Sequence, residues 1–246
     1  DIWLNEGFAT FFAGLYAEKA HGRDGLDEYM AWSRPVLADS PNAHDAAVVR
    51  DRYVTPGELF DDLAYGKGGW VLHMLRRKLG DATFFAGVAS YVKAHHLGSV
   101  ETVDFQRALE AASGLSLRGF FRRWLHQPGV PKLLVRTRYD RHTKQLRVHF
   151  RQRQPVDAKR PLFVLPVDIR VRQDVADPGK LHRYVLDAAA GEFTLPLAKR
   201  PDLVEIDPEM ALLAGWNMSA GVDMLANLAR HGSTADVRLR AVRSMR

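Results

Sequence analysis

Apolar side chains recur every three to four positions through residues 1–126 and at every second position through much of 131–206. The first period predicts helices and the second predicts strands. Between Trp3 and Ala17 the polar groups are Asn5, Glu6, Thr10 and the hydroxyl of Tyr16. At about 100° per residue, Leu4, Phe8, Phe11, Phe12 and Leu15 fall on one stripe. Glu6 falls on roughly the opposite side, among Ala9, Ala13 and Ala17. A helix this apolar all round is expected to be buried, with Glu6 inside the protein. A lone buried carboxylate is too costly to keep, so Glu6 needs a cation. Either a basic side chain or a metal ion would serve, and residue types alone leave both open.

Further along, residues 21–25 (His-Gly-Arg-Asp-Gly) read as a turn, and residues 26–37 as a helix interrupted at Pro35. Residues 38–58 read as a loop. Trp70, Val71, Met74, Leu75 and Leu79 have helical spacing, and Gly80-Asp81 closes that helix. Arg76, Arg77 and Lys78 suit its negative C-terminal end. Helices follow at 82–95, 102–113 and 117–126. Pro128, Gly129 and Pro131 then stop helix formation and mark a domain boundary near Gly129. Strands are expected at 133–139, 145–153, 163–171, 184–186, 192–197 and 203–206. The first two are joined as a hairpin through 140–144, and all are short enough for a small antiparallel sandwich. Residues 208–216 and 221–245 return to helical spacing, and 235–242 resemble the start of an α-solenoid repeat.

Composition narrows the class. Hydrophobic residues make up 46% and charged residues 26% of 246, which is that of an ordinary globular protein with a sizeable core. The balance of 35 basic against 29 acidic residues gives +6. The longest basic run is Arg76-Arg77-Lys78, and the alternate arginines of the strands read as a solvated face, so no nucleic-acid partner is expected. There is no cysteine, which excludes disulfides and thiolate metal sites. No stretch approaches the roughly twenty apolar residues of a membrane span. The chain starts without Met inside one helical pattern and stops inside another, so it reads as a portion of a longer protein.

Asp1-Ile-Trp-Leu-Asn-Glu-Gly-Phe-Ala9 resembles the segment that follows the HExxH helix in zinc aminopeptidases of the aminopeptidase N and leukotriene-A hydrolase family. A second resemblance is the Tyr-x-Lys-Gly-x-x-Val-Leu-x-Met-Leu pattern from Tyr65 to Leu75. A third is Trp124-Leu-x-Gln-Pro-Gly-x-Pro131, the family's exit from its catalytic domain. The resemblance implies an α+β multidomain protein. Residues 1–129 would be the later helices of a thermolysin-like catalytic domain, 130–208 a β-sandwich, and 209–246 the start of a helical domain. It implies zinc as the metal, Glu6 as the third ligand after two histidines, and Tyr65 as the donor to the oxyanion of the tetrahedral intermediate. The reaction implied is metal-assisted hydrolysis of the first peptide bond of peptides with a free N-terminus.

The residues themselves also carry plainer readings. Tyr65 is of the type that lines amphipathic interfaces, and Lys67 reads as structural. Gly66, Gly68 and Gly69 suggest close backbone approach. His73 sits among Val, Leu and Met as a core residue, and His95-His96 lack ligand spacing. HExxH is absent and no two histidines stand four apart, so this chain alone is expected neither to hold zinc nor to catalyse. The competing class is a non-catalytic scaffold built on the same fold.

Overall fold

The computed structural model describes residues 1–245. Helices α1 (Trp3–Asp39), α2 (Pro41–Asp45), α3 (Gly68–Leu79), α4 (Asp81–Ala94), α5 (Thr102–Ser113) and α6 (Arg118–Phe121) come first. A 3₁₀ turn at Pro56–Leu59 and π-helical turns at Leu63–Lys67 and Arg122–His126 lie among them. Strands β1 (Lys132–Asp140), β2 (Gln145–Gln152), β3 (Leu165–Arg172), β4 (Lys180–Leu186), β5 (Ala190–Pro196), β6 (Leu203–Ile206) and β7 (Gly215–Ser219) follow. Helices α7 (Val222–His231) and α8 (Ala235–Arg243) come last. The chain is thus a mixture of helices and small sheets. It divides into two compact units, one of residues 1–17 and 33–129 and the other of 18–32 and 130–246.

The first helix departs from its predicted form in two ways. Gly22, at φ 72° and ψ −165°, kinks it where a turn was expected. Only glycine takes that conformation without strain. The helix also runs through Pro35 to Asp39 instead of breaking there. Nor is it buried all round. Trp3, Leu4, Gly7, Phe11 and Gly14 face inward, whereas Ala9 and Ala13 are exposed, Phe12 is 47% exposed and Tyr16 74%. Apolar composition marked which residues could be covered; neighbours on one side settled which are.

The core of the first unit is aromatic. Phe105 meets Phe8 at 5.2 Å and Tyr91 at 5.2 Å between ring centroids, and Phe11 meets Phe84 at 5.5 Å, all edge to face. Such geometry suits the ring quadrupoles. Trp3 is buried and donates its indole N–H to Thr102 Oγ1 at 2.8 Å. Asp1 accepts from the Thr102 N–H at 2.7 Å and its hydroxyl at 2.8 Å, which ties the start of α1 to the start of α5.

In the second unit, one sheet has the order β5-β2-β1-β7 and the other β4-β3-β6. All pairings are antiparallel except β1 with β7, which is parallel. The sheets are therefore not purely antiparallel. The first sheet also takes in 215–219 as β7, which overlaps the end of the helix expected at 208–216. Leu133 and Val135 of β1 and Leu146, Val148 and Phe150 of β2 are buried, as period two requires. The unit also buries charge. Asp236 bonds the Arg240 guanidinium at 2.8 Å, and Arg240 reaches the Ile206 carbonyl at 2.7 Å. Glu205 is fully buried and accepts from Ser233 N and Oγ at 2.9 Å each, with Arg170 and Arg172 at 3.4 Å. The expected helix over 221–245 is two helices, and Arg246 lies outside the described residues. Among the described residues, no helix is long and apolar enough to cross a membrane.

Candidate active site

Glu6 and Tyr65, fifty-nine positions apart, meet because the first unit packs backbone on backbone. A Cβ added at Gly7 would meet the Cα and carbonyl carbon of Gly68 at 3.0 Å, and one at Gly69 would meet Thr10 Cγ2 at 2.9 Å. Glycine at 7, 68 and 69 lets α1 and the start of α3 cross in direct contact. Glu6 immediately precedes Gly7, and Tyr65 lies three residues before Gly68. The crossing brings the Tyr65 phenol under the influence of the Glu6 carboxylate, which helps to hold the phenol protonated. We expect Gly7→Ala to cost about 1–3 kcal/mol of stability through overpacking, measured by denaturant unfolding. The backbones have no side chain to yield.

Tyr65 sits in a π-helical turn, a feature concentrated at functional sites. The Lys67 N–H reaches the Asp62 carbonyl at 3.0 Å, five residues back. This turn is stapled at its start by Asp61, which accepts from the N–H groups of Leu63 at 3.0 Å and Ala64 at 3.1 Å. The other Asp61 oxygen accepts from Asn42 and from Arg50, each at 2.6 Å. Arg50 also holds the Glu58 carbonyl at 2.8 Å, so the segment before the turn is fixed to it. Asp61, Asn42 and Arg50 had no sequence signal, since a polar loop looks the same whether or not its side chains converge.

The site is open on one side. Glu6 is half-buried and Tyr65 is 39% exposed. Among the described residues no Lys or Arg pairs with Glu6, which removes the basic-partner alternative. Partial burial of the phenol, then the hydrogen bond and charge of Glu6, hold the Tyr65 pKa above the ordinary tyrosine value. Tyr65 is therefore a proton donor throughout the neutral range.

The remaining candidates behave as their plainer readings had it. His73 is fully buried edge-on to Trp70, at 5.5 Å between centroids, and His95 lies tilted on Tyr91 at 5.6 Å. Lys67 is fully buried, and its Nζ donates to the carbonyls of Gly129 at 2.9 Å and Gln127 at 3.3 Å. Burial lowers its pKa from 10.5 to about 7. A depressed amine binds fewer protons folded than unfolded, so its contribution to stability is complete above about pH 10.5 and lost as pH falls to about 7. Denaturant unfolding across that window should show a rise in stability that Lys67→Met lacks.

Residues 1–124, just over half of the chain, match the peptidase family M1 domain. Bovine (Bos taurus) glutamyl aminopeptidase is 38% identical over 146 residues, covering 55% of this chain and 14% of that protein. Aminopeptidase M1 of Arabidopsis thaliana is 33% identical over 135 residues, covering 53% and 15%. The crystal structure of Legionella pneumophila aminopeptidase A in complex with aspartic acid superposes with a TM-score of 0.74 at 22% identity, over 98% of this chain and 27% of that one. The fold is that of an aminopeptidase. The chain belongs to peptidase family M1, and it spans about one seventh of the length of these two relatives.

Family membership implies zinc. Among the described residues no three His, Cys, Asp or Glu converge on one point. Glu6 is a half-buried carboxylate, a type of group that can ligate zinc, and the described residues do not make up a complete metal site.

Proposed function

We propose that the protein to which this chain belongs is a zinc-dependent aminopeptidase acting on peptides with a free N-terminus. Glu6 would supply one metal ligand and Tyr65 the donor to the developing oxyanion. The reading rests on one observation above all. Within the part that matches the family, Glu6 has no basic partner among the described residues and instead helps to hold the Tyr65 phenol protonated. Zinc, when bound, supplies Lewis acidity. The chain's own contribution is to hold a carboxylate oxygen ready as a ligand and to keep a proton on Tyr65 Oη beside it. A donor so placed acts where negative charge develops on the substrate carbonyl. Residues 1–129 then form the helical part of the catalytic domain. The two sheets form a sandwich beyond it, and α7 and α8 begin a helical, solenoid-like domain.

The test uses the protein expressed in its full native reading frame. Aminoacyl anilides with a free amine should be hydrolysed and their N-acetylated counterparts should not. A chelator should abolish the activity and added zinc restore it. Absence of hydrolysis with zinc present would instead favour the scaffold reading.

A further inference from the structure

We propose that Lys67 is a positioning residue for Tyr65, its amine bridging the π-turn that carries the phenol to the chain segment at Gln127–Gly129. The inference rests on the proposed role of Tyr65 and extends it to a side chain that the family pattern left structural. Three observations carry it. Lys67 is fully buried, and a buried amine is costly where an apolar side chain would fill the same space freely. Its Nζ donates to two carbonyls, of Gly129 at 2.9 Å and of Gln127 at 3.3 Å. Those carbonyls belong to a segment that is itself anchored. Gly129, at φ 97°, donates its N–H to the Ala43 carbonyl at 2.8 Å, and Val49 donates to the Leu125 carbonyl at 3.0 Å.

The backbone of Lys67 is part of the turn it braces. Its N–H closes onto Asp62, and the next N–H, of Gly68, closes onto the carbonyls of Leu63 and Tyr65. A shift of Lys67 therefore moves Tyr65 with it. A π-turn breaks the regular α-helical hydrogen-bond register, and an external brace helps to hold its side chain to the roughly 0.5 Å that a reacting group demands. At the N-terminal end Asp61 is that brace; at the C-terminal end Lys67 is. The second π-turn, Arg122–His126, immediately precedes the carbonyls that receive Nζ, so one side chain joins both irregular segments.

The test is kinetic and uses the full-length enzyme. Lys67→Met should lower kcat by about 10- to 100-fold with KM little changed, and Lys67→Gln, which keeps a shorter donor, should fall between. In a Tyr65→Phe background Lys67→Met should cost little more, because the brace acts through the phenol. A kcat within a factor of two or three of wild type in a folded Lys67→Met would overturn the proposal, and so would a full further loss added on top of that of Tyr65→Phe. Failure of both variants to fold would assign Lys67 to folding alone and overturn it equally. Normal turnover in Tyr65→Phe would instead refute the catalytic reading of Tyr65, an outcome distinct from failure of the brace.

Discussion

Tyr65→Phe, in the full-length protein, should lower kcat by about 100- to 1,000-fold, the cost typical of removing one oxyanion donor. KM should change little, because the lost hydrogen bond is made where charge appears and not in the ground state. The substitution keeps the ring, so Tyr65→Phe should fold with unchanged stability to within a few tenths of a kcal/mol at this partly exposed site. Steady-state kinetics with the free-amine anilides, beside denaturant unfolding, check both statements. Turnover in Tyr65→Phe within a factor of two or three of wild type would remove the residue from the mechanism.

The largest expected effect on stability lies far from that site. Asp236 is 1% exposed and Arg240 5%, and they are bonded at 2.8 Å. Asp236→Ala should cost about 3–5 kcal/mol, because it leaves a guanidinium buried without its counter-charge. The guanidinium also stacks over Trp216 at 5.1 Å and reaches the Ile206 carbonyl, so it cannot swing out to water without losing both. The double variant Asp236→Leu with Arg240→Met should recover much of the loss, since an apolar pair avoids the desolvation cost. Urea unfolding of the single and double variants measures this. A single variant within 1 kcal/mol of wild type would mean that water reaches the pair.

How much was legible beforehand differs between the two halves. Glu6 and Tyr65 were singled out because two short motifs resemble a known family, and Gly68 and Gly69 announced the close backbone approach beside them. The helices 82–95 and 102–113 and the hairpin of β1 and β2 followed from period alone, because each presents one clean face to a core. The π-turns at Leu63–Lys67 and Arg122–His126 had no such signal, since one extra residue in a turn leaves the apolar spacing nearly intact. Strand β7 was missed because its pairing to β1 is long-range and its short run, Gly-Trp-Asn-Met-Ser, has as much helical as extended character. The overstatement of burial in α1 has a related cause. Ala9 and Ala13 are tolerated equally in a core and in water, so counting them as apolar exaggerated how much of the helix was covered.

The partnership of Glu6 with a metal is the point on which the functional account stands. Zinc bound per chain should be measured in the full-length wild type, in Glu6→Gln and in Tyr65→Phe, after dialysis against a weak chelator. The account predicts one zinc in the wild type and in Tyr65→Phe, and a loss of affinity of at least about tenfold in Glu6→Gln, as expected when a ligand or its close support is removed. Wild-type zinc affinity in Glu6→Gln would contradict it, and would leave Glu6 as nothing more than a neighbouring charge that keeps Tyr65 protonated.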